Sequence, residues 1–136
     1  LAEDEIDDPV ERLRRLSSSY IDLALAEPEV FRLMFLYRPG AIAAVDHDSG
    51  DRVDNELELA SLAFEFPYSA VVQAIEEGVF HPGRDPLLTA MALWTASHGT
   101  AVVLLLGMDI DSAGRLALER TVIDSILTGL AAPPTE

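Results

Sequence analysis

One long apolar stretch decides the fold: residues 85–108 read DPLLTAMALWTASHGTAVVLLLGM. Asp85 can cap a helix with its side chain, and Pro86 suits the first helical position because no amide hydrogen is needed there. From Leu87 to Met108 the stretch contains no carboxylate and no arginine. In a chain that does not cross a membrane, a helix this apolar is enclosed on all sides. We therefore expect a central, buried helix with the rest of the domain around it.

The same stretch is long enough to cross a bilayer, but two features argue against a membrane span. The polar residues that interrupt it are Thr89, Thr95, Ser97, His98 and Thr100. Both flanks carry acids, Asp85 before the apolar residues and Asp109 and Asp111 after them, where basic residues usually anchor a span. No signal peptide is visible, and the absence of cysteine agrees with an intracellular protein. We therefore expect a cytoplasmic protein without membrane contact.

The composition fits one globular domain without covalent crosslinks. The 136 residues are 49% hydrophobic and include neither cysteine nor lysine. These absences exclude a cysteine nucleophile, a thiolate-bound metal, a Schiff-base enzyme and the usual phosphate-binding P-loop. Twenty-four acidic residues against nine arginines give a formal charge of −15, so the surface as a whole repels nucleic acid phosphates. Any DNA binding by the complete protein must therefore lie in another segment.

Capping signals divide the chain into five main helices, and no segment has the pattern of a strand. We predict an all-α fold with helices at about 9–26, 28–37, 54–77, 86–108 and 112–129. Residues 1–8 are interpreted as an acidic leader or linker, 9–130 as one domain and 131–136 as a tail. The apolar face of the first helix, which we expect in the core, consists of Leu13, Leu16, Tyr20 and Leu23.

Two predicted helices have more apolar surface than one core requires. Pro67 lies inside the helix at 54–77, but the apolar stripe continues in phase through it, which indicates a kink. The first half of that helix has a second apolar face, which predicts a separate apolar space beside the core. In the last helix the apolar residues spread over about 180°, wider than the ~100° stripe of a helix on one core. This excess predicts a partner surface.

The sequence contains no strong sign of catalysis or metal binding. No two of its three histidines have the i, i+4 spacing of a helical metal site, and no Gly-x-Ser-x-Gly elbow is present. We expect no enzymatic activity, no catalytic residue, no metal site and no cofactor. His98 is the most informative polar residue, because a buried imidazole needs a hydrogen-bond partner. That partner is either a structural group or a ligand in a cavity that His98 shares with Met91 and Trp94.

Two passages resemble the C-terminal domain of TetR-type transcriptional regulators. Residues 93–99, LWTASHG, are similar to the Trp-x-x-x-His-Gly signature of one branch of that family. Tyr20, Pro28, Phe31 and the LMF run at 33–35 are similar to the passage that opens the same domain. The order of the helices also agrees, and the resemblance extends over about residues 8–129.

The resemblance implies a homodimer in which the last two helices of each chain form a four-helix bundle. Such a bundle would account for the wide apolar arc of the last helix. The predicted dimer interface residues are Val102, Leu105, Leu116, Val122, Ile123, Ile126, Leu127 and Leu130.

The resemblance also implies a pocket for a small-molecule effector among the first four helices. The predicted ligand-binding residues are Met34, Phe35, Phe64, Tyr68, Met91, Trp94 and His98. The family further implies an N-terminal helix-turn-helix that binds operator DNA, but no basic helix-turn-helix precedes Asp8. No DNA contact is therefore assigned to this chain. In this scheme the ligand shifts the dimer towards a geometry that no longer matches two successive major grooves.

Two hypotheses from different classes follow. The first is the effector-binding and dimerisation domain of a bacterial TetR-type repressor that senses a small, mostly apolar molecule. The second is a helical dimerisation or protein-interaction module without a ligand, in which every aromatic residue is core. A basic helix-turn-helix encoded upstream of Leu1 would favour the first.

Overall fold

The computed structural model describes residues 6–32 and 67–134, and these residues form helices with no strand among them. The helices are α1 (Pro9–Ala26), α2 (Pro28–Phe31), α3 (67–76), α4 (Pro86–Leu105) and α5 (Ser112–Leu130). The predicted all-α fold is confirmed. Predictions that concern residues 33–66, including the first half of the helix predicted at 54–77, lie outside the described residues.

Aspartate side chains begin the three long helices. Asp8, Asp85 and Asp111 each accept a hydrogen bond from a backbone amide two or three positions later. Pro9 and Pro86 then occupy the first helical position, where the missing amide hydrogen has no cost. The predicted starts of α1, α4 and α5 are therefore confirmed.

Two contacts show that α1 runs antiparallel to α5. The Arg14 guanidinium pairs with Asp124, with 2.9 Å between Nη2 and Oδ1. One turn later along α1, the Ser18 hydroxyl donates a hydrogen bond to Glu119, which lies earlier in α5. Arg14 also pairs with Glu11, whose carboxylate binds Arg15 as well.

The core consists of two clusters of buried apolar side chains. The first cluster comprises Leu13, Ala70, Val71, Ala74, Phe80, Ala90, Leu93, Ile123, Leu127 and Leu130. The second comprises Ile21, Ala24, Phe31 and Ala101. The first cluster contains residues from the early part of both α1 and α4, and the second contains residues from the later part of both. These two helices therefore run in the same direction. Between the clusters lie two buried serines, Ser17 on α1 and Ser97 on α4.

The face of α1 that enters the core is rotated from the predicted one. The buried residues of α1 are Pro9, Leu13, Ser17, Ile21 and Ala24. Of the predicted stripe only Leu13 is buried, and Leu23 is 62% exposed. The prediction was wrong because small side chains let α1 approach α4 closely. The larger side chains of the stripe lie to one side of that contact.

Within one protomer α4 is not enclosed on all sides, contrary to the expectation from its composition. Exposed positions recur three or four residues apart along the whole helix and onto its cap: Leu88, Met91, Thr95, Gly99, Val103 and Leu106. Leu88 is 66% exposed and Leu106 is 73% exposed. The opposite face packs on α1 and α5, so the helices that the structure describes leave one apolar face of α4 uncovered.

Length and composition alone would allow α4 to cross a membrane, and among the described helices it is the one that meets this test. A core helix of a globular domain meets the same test. The α4 helix contributes Ala90 and Leu93 to the first cluster and Ala101 to the second. Its apolar composition is therefore accounted for in part by packing within the domain.

The turn between α3 and α4 is fastened to the end of α5. Phe80 is fully buried and pairs through its backbone with Ala131. The Arg84 guanidinium donates hydrogen bonds to the carbonyl oxygens of Leu130, with 3.2 Å from Nε, and of Gly129. The last carbonyls of a helix have no partner within it, so Arg84 caps α5.

We predict that Arg84→Ala lowers the free energy of unfolding by about 1–3 kcal/mol, the usual range for hydrogen bonds from a charged group. Urea unfolding followed by far-UV circular dichroism measures the change. The control is Arg115→Ala, an exposed arginine near the start of α5, which should change stability by no more than about 0.5 kcal/mol. Equal losses in both variants would contradict the capping role.

Candidate functional site

A cavity of about 250 Å³ opens between α1 and α4, beside the two buried serines. It is lined by Leu13, Leu16, Ser17, Ser19, Tyr20, Leu23, Pro67, Leu93, Trp94 and Ser97. The apolar stripe that the sequence predicts for the core of α1 forms one wall. The α4 helix forms the opposite wall, and Pro67 closes one side from α3.

The cavity exists because small side chains stand between the two apolar clusters. Ser97 donates its hydroxyl hydrogen to the carbonyl oxygen of Leu93, 2.9 Å away in its own helix, rather than across to α1. Neither Ser17 nor Ser97 fills the volume that a leucine would occupy at the same place. The larger side chains on either side, Leu16 and Trp94, therefore border a space instead of closing it.

Four aromatic rings form a cluster beside this cavity, and two of them, Tyr20 and Trp94, line it. Trp94 and His98 stack with 4.9 Å between ring centroids and 27° between ring planes. Phe31 lies 5.2 Å from His98, and Tyr20 meets Phe31 edge to face at 5.9 Å. Such pairs add about 0.5–1.5 kcal/mol beyond the burial of their area. The cluster therefore holds Tyr20 and Trp94, which both line the cavity, in fixed orientations.

A hydrogen bond of 2.7 Å joins the Tyr20 hydroxyl to Nδ1 of His98. Burial lowers the pKa of His98, and burial raises the pKa of Tyr20 to about 12, against the opposite effect of a hydrogen bond with Trp94. Both groups are therefore uncharged near neutral pH. Because the indole N–H is only a donor, the Tyr20 oxygen accepts from Trp94, and its own hydrogen is the one to be donated to His98.

The structure brings together some of the predicted ligand-binding residues and not others. Trp94 lines the cavity, and His98 lies directly behind Tyr20. Tyr68 and Met91 are 42% and 44% exposed and are not among the described lining residues. Met34, Phe35 and Phe64 lie outside the described residues.

The α1 residues that line the cavity were not predicted from the sequence as ligand-binding residues. Leu16, Tyr20 and Leu23 were recognised as one apolar face and assigned to the core. A sequence signal for the position of Tyr20 in this wall was present, because Tyr20 belongs to the passage that resembles a known domain. Serines 17 and 19 interrupt the apolar face and agree with a wall that is not fully dry.

The predicted dimer interface residues occupy three kinds of position in the protomer. Ile123, Leu127 and Leu130 are buried in the first cluster. Four more are partly buried and pack against the clusters: Val102, Leu105, Val122 and Ile126. Leu116 is 46% exposed. Most of the wide apolar arc of α5 thus packs within its own chain, whereas α4 carries the larger exposed apolar face.

A comparison with models of protein families shows the family of the chain. A family model described as "Tetracyclin repressor-like, C-terminal domain" matches residues 13–123. The chain belongs to this family. The match extends from the start of the cavity wall on α1 to the middle of α5 and includes Tyr20, Trp94 and His98. It identifies the chain as a TetR-like C-terminal domain. No curated protein and no solved structure matched.

The low pKa of His98 in the folded state predicts a pH dependence of stability. As the pH falls through the unfolded value of about 6.5, the unfolded chain binds a proton that folded His98 does not, so stability falls. Between about pH 7.5 and about pH 5.5, wild type should therefore lose more stability than His98→Gln. Urea unfolding at the two pH values measures both losses.

The control for this prediction is Arg115→Gln, which removes an exposed charge near the start of α5 without changing a histidine. It should keep the wild-type difference between the two pH values. If wild type and His98→Gln lose the same amount of stability between the two pH values, burial of His98 does not set the pH dependence.

Proposed function

We propose that this chain is the effector-sensing and dimerisation domain of a TetR-type repressor that responds to a small, mostly apolar molecule. The observation that carries the proposal is the cavity between α1 and α4, with Tyr20 and Trp94 fixed in its wall. Small-molecule sites are typically concave, mostly apolar and furnished with a few convergent polar groups. The described lining has this composition.

Binding in this cavity has a clear source of free energy. The cavity opens to solvent, so its leucine wall is wet when no ligand is bound. Each Å² of apolar wall removed from water contributes about 25 cal/mol. Because Tyr20 and Trp94 are already held by the aromatic cluster, a ligand does not have to immobilise them.

The exposed face of α4 supports dimerisation. This face contains no charged residue, although the chain as a whole has a formal charge of −15. Two copies that meet through it avoid placing like charges in contact. Thr95 and Gly99 lie in the middle of the face, and small side chains there let a second helix approach closely. Leu88 and Leu106 extend the contact towards both ends.

The same helix links the two proposed activities. Trp94 lies on the flank of α4 that borders the cavity, and Thr95 lies on the exposed face beside it. A ligand that favours one position of α4 therefore also favours one geometry of the dimer. In this proposal, operator DNA is bound by an N-terminal helix-turn-helix of the same cytoplasmic regulator, and the ligand shifts the population of dimers away from the DNA-binding geometry.

Native mass spectrometry of the purified chain tests both parts of the proposal. The expected species has twice the 14.8 kDa of the chain, plus the mass of a small molecule that is retained or added. A dimer that takes up no small molecule would favour the alternative, a helical dimerisation or protein-interaction module without a ligand. A monomer at all concentrations would contradict the dimerisation part.

We predict that Gly99→Leu converts the dimer to a monomer without unfolding the protomer. Among the residues that the structure describes, no atom outside the adjoining backbone of α4 lies within 4 Å of a Cβ atom built at Gly99, so the added side chain is tolerated there. In the dimer it would separate the two α4 helices. Sedimentation velocity measures the oligomeric state, and circular dichroism verifies the fold. Ala26→Leu adds bulk at an exposed position of α1 and should leave the dimer intact; dissociation in both variants would contradict the assigned face.

A further inference from the structure

The walls of the cavity contain no charged side chain among the residues that the structure describes. Its ionisable member, Tyr20, stays protonated because burial raises its pKa to about 12. His98, behind Tyr20, stays neutral because burial lowers its pKa. An ionised group placed against these described walls would lose water without gaining an opposite charge from them, which is strongly unfavourable. An anion would also be repelled by the net charge of −15.

The volume of the cavity limits the part of a ligand that it can enclose. A leucine-lined cavity of about 150 Å³ accepts benzene, so a volume of 250 Å³ has room for roughly ten non-hydrogen atoms. Drug-sized ligands usually occupy sites of about 300–1,000 Å³. The geometry therefore favours a molecule with one ring and a short substituent.

The fixed orientation of two aromatic side chains favours a ring in the ligand. Trp94 is held by its stacking on His98, and Tyr20 by its hydrogen bond to His98 and its edge contact with Phe31. Aromatic pairs gain about 0.5–1.5 kcal/mol beyond the burial of area when their geometry is suitable. A flexible aliphatic chain of the same volume would not gain this contribution and would lose more conformational entropy.

Ser97 favours a hydrogen-bond donor on that ring. Its hydroxyl hydrogen is already donated to the carbonyl oxygen of Leu93, so its oxygen can act towards a ligand only as an acceptor. The side chain is 3% exposed and lines the cavity, so it is largely shielded from bulk water. A ligand O–H or N–H therefore gains a hydrogen bond there, whereas a carbonyl oxygen would face another acceptor.

We propose that the effector is an uncharged, single-ring aromatic molecule of roughly ten non-hydrogen atoms with one O–H or N–H donor, and that Ser97 accepts from this donor. Alkylphenols are the simplest members of this class. The inference rests on the proposed function, because it names the kind of molecule that the proposed effector cavity binds.

Three probes of similar shape test the class at neutral pH: 4-propylphenol, propylbenzene and 4-propylbenzoate. The first has the donor, the second lacks it, and the third replaces it with a negative charge. Trp94 is the single tryptophan of the chain, so its fluorescence reports directly on the cavity wall. We expect 4-propylphenol to bind with a Kd about tenfold lower than that of propylbenzene and at least about a hundredfold lower than that of 4-propylbenzoate.

Ser97→Ala tests the assigned acceptor. The hydroxyl of Ser97 bonds within its own helix, so the variant should keep its fold, which circular dichroism verifies. The Kd of 4-propylphenol should rise to that of propylbenzene, while the Kd of propylbenzene stays unchanged. Thr100→Ala is the matched control, because Thr100 is equally buried and also donates to a carbonyl of its own helix but is not among the lining residues. In this control the Kd values of 4-propylphenol and propylbenzene should both remain those of wild type.

The possible results separate the inference from the proposed function. If 4-propylbenzoate binds as tightly as 4-propylphenol, or if Ser97→Ala weakens both neutral probes equally, the ligand class is wrong and the cavity remains a binding site. If none of the three probes changes the fluorescence of Trp94 at millimolar concentration, both the ligand class and the effector cavity are wrong.

Discussion

The close parallel packing of α1 against α4 determines most other features of the domain. Ser17 and Ser97 bring the two helices together and divide the buried core into two clusters. Larger side chains, Leu16 and Trp94, lie on either side of the two serines and border the cavity. The same contact thus provides both the stability of the domain and the space for a ligand. A larger residue at either serine would change both together, since interiors respond to even one added methylene.

The Tyr20–His98 hydrogen bond answers a question that the sequence left open. A buried imidazole on α4 needed either a structural partner or a ligand, and the structure supplies Tyr20 at 2.7 Å. Tyr20 is itself part of the cavity wall, so the two alternatives are not independent. A ligand that displaces the phenol would leave His98 without this bond, which is costly for a buried polar group. His98 therefore acts as a positioning residue behind the wall.

Local sequence signals such as helix caps predicted the structure well. The prediction of which face of a helix is buried was less successful. The caps at Asp8 and Asp85 fixed the helix starts, because a cap depends on a few neighbouring residues. Periodicity correctly grouped the apolar face of α1 but could not show what it faces, because that depends on α4, far along the chain. Met91 was grouped with Trp94 by its spacing, yet it lies nearer the exposed face of α4. Whether a helix face meets the core, a cavity or solvent is decided by contact partners that are distant in sequence.

The contacts between α1 and α5 also have a consequence for how the chain folds. The pair Arg14 and Asp124 is separated by 110 positions, and the pair Ser18 and Glu119 by 101. Most small helical domains fold fast because their contacts are local, but here the first long helix meets the last one. During synthesis α1 leaves the ribosome long before α4 and α5, so its side chains that pack on those two helices lack these partners until the chain is nearly complete. The long-range contacts that fasten α1 to α5 can therefore form only after the final helix has been made.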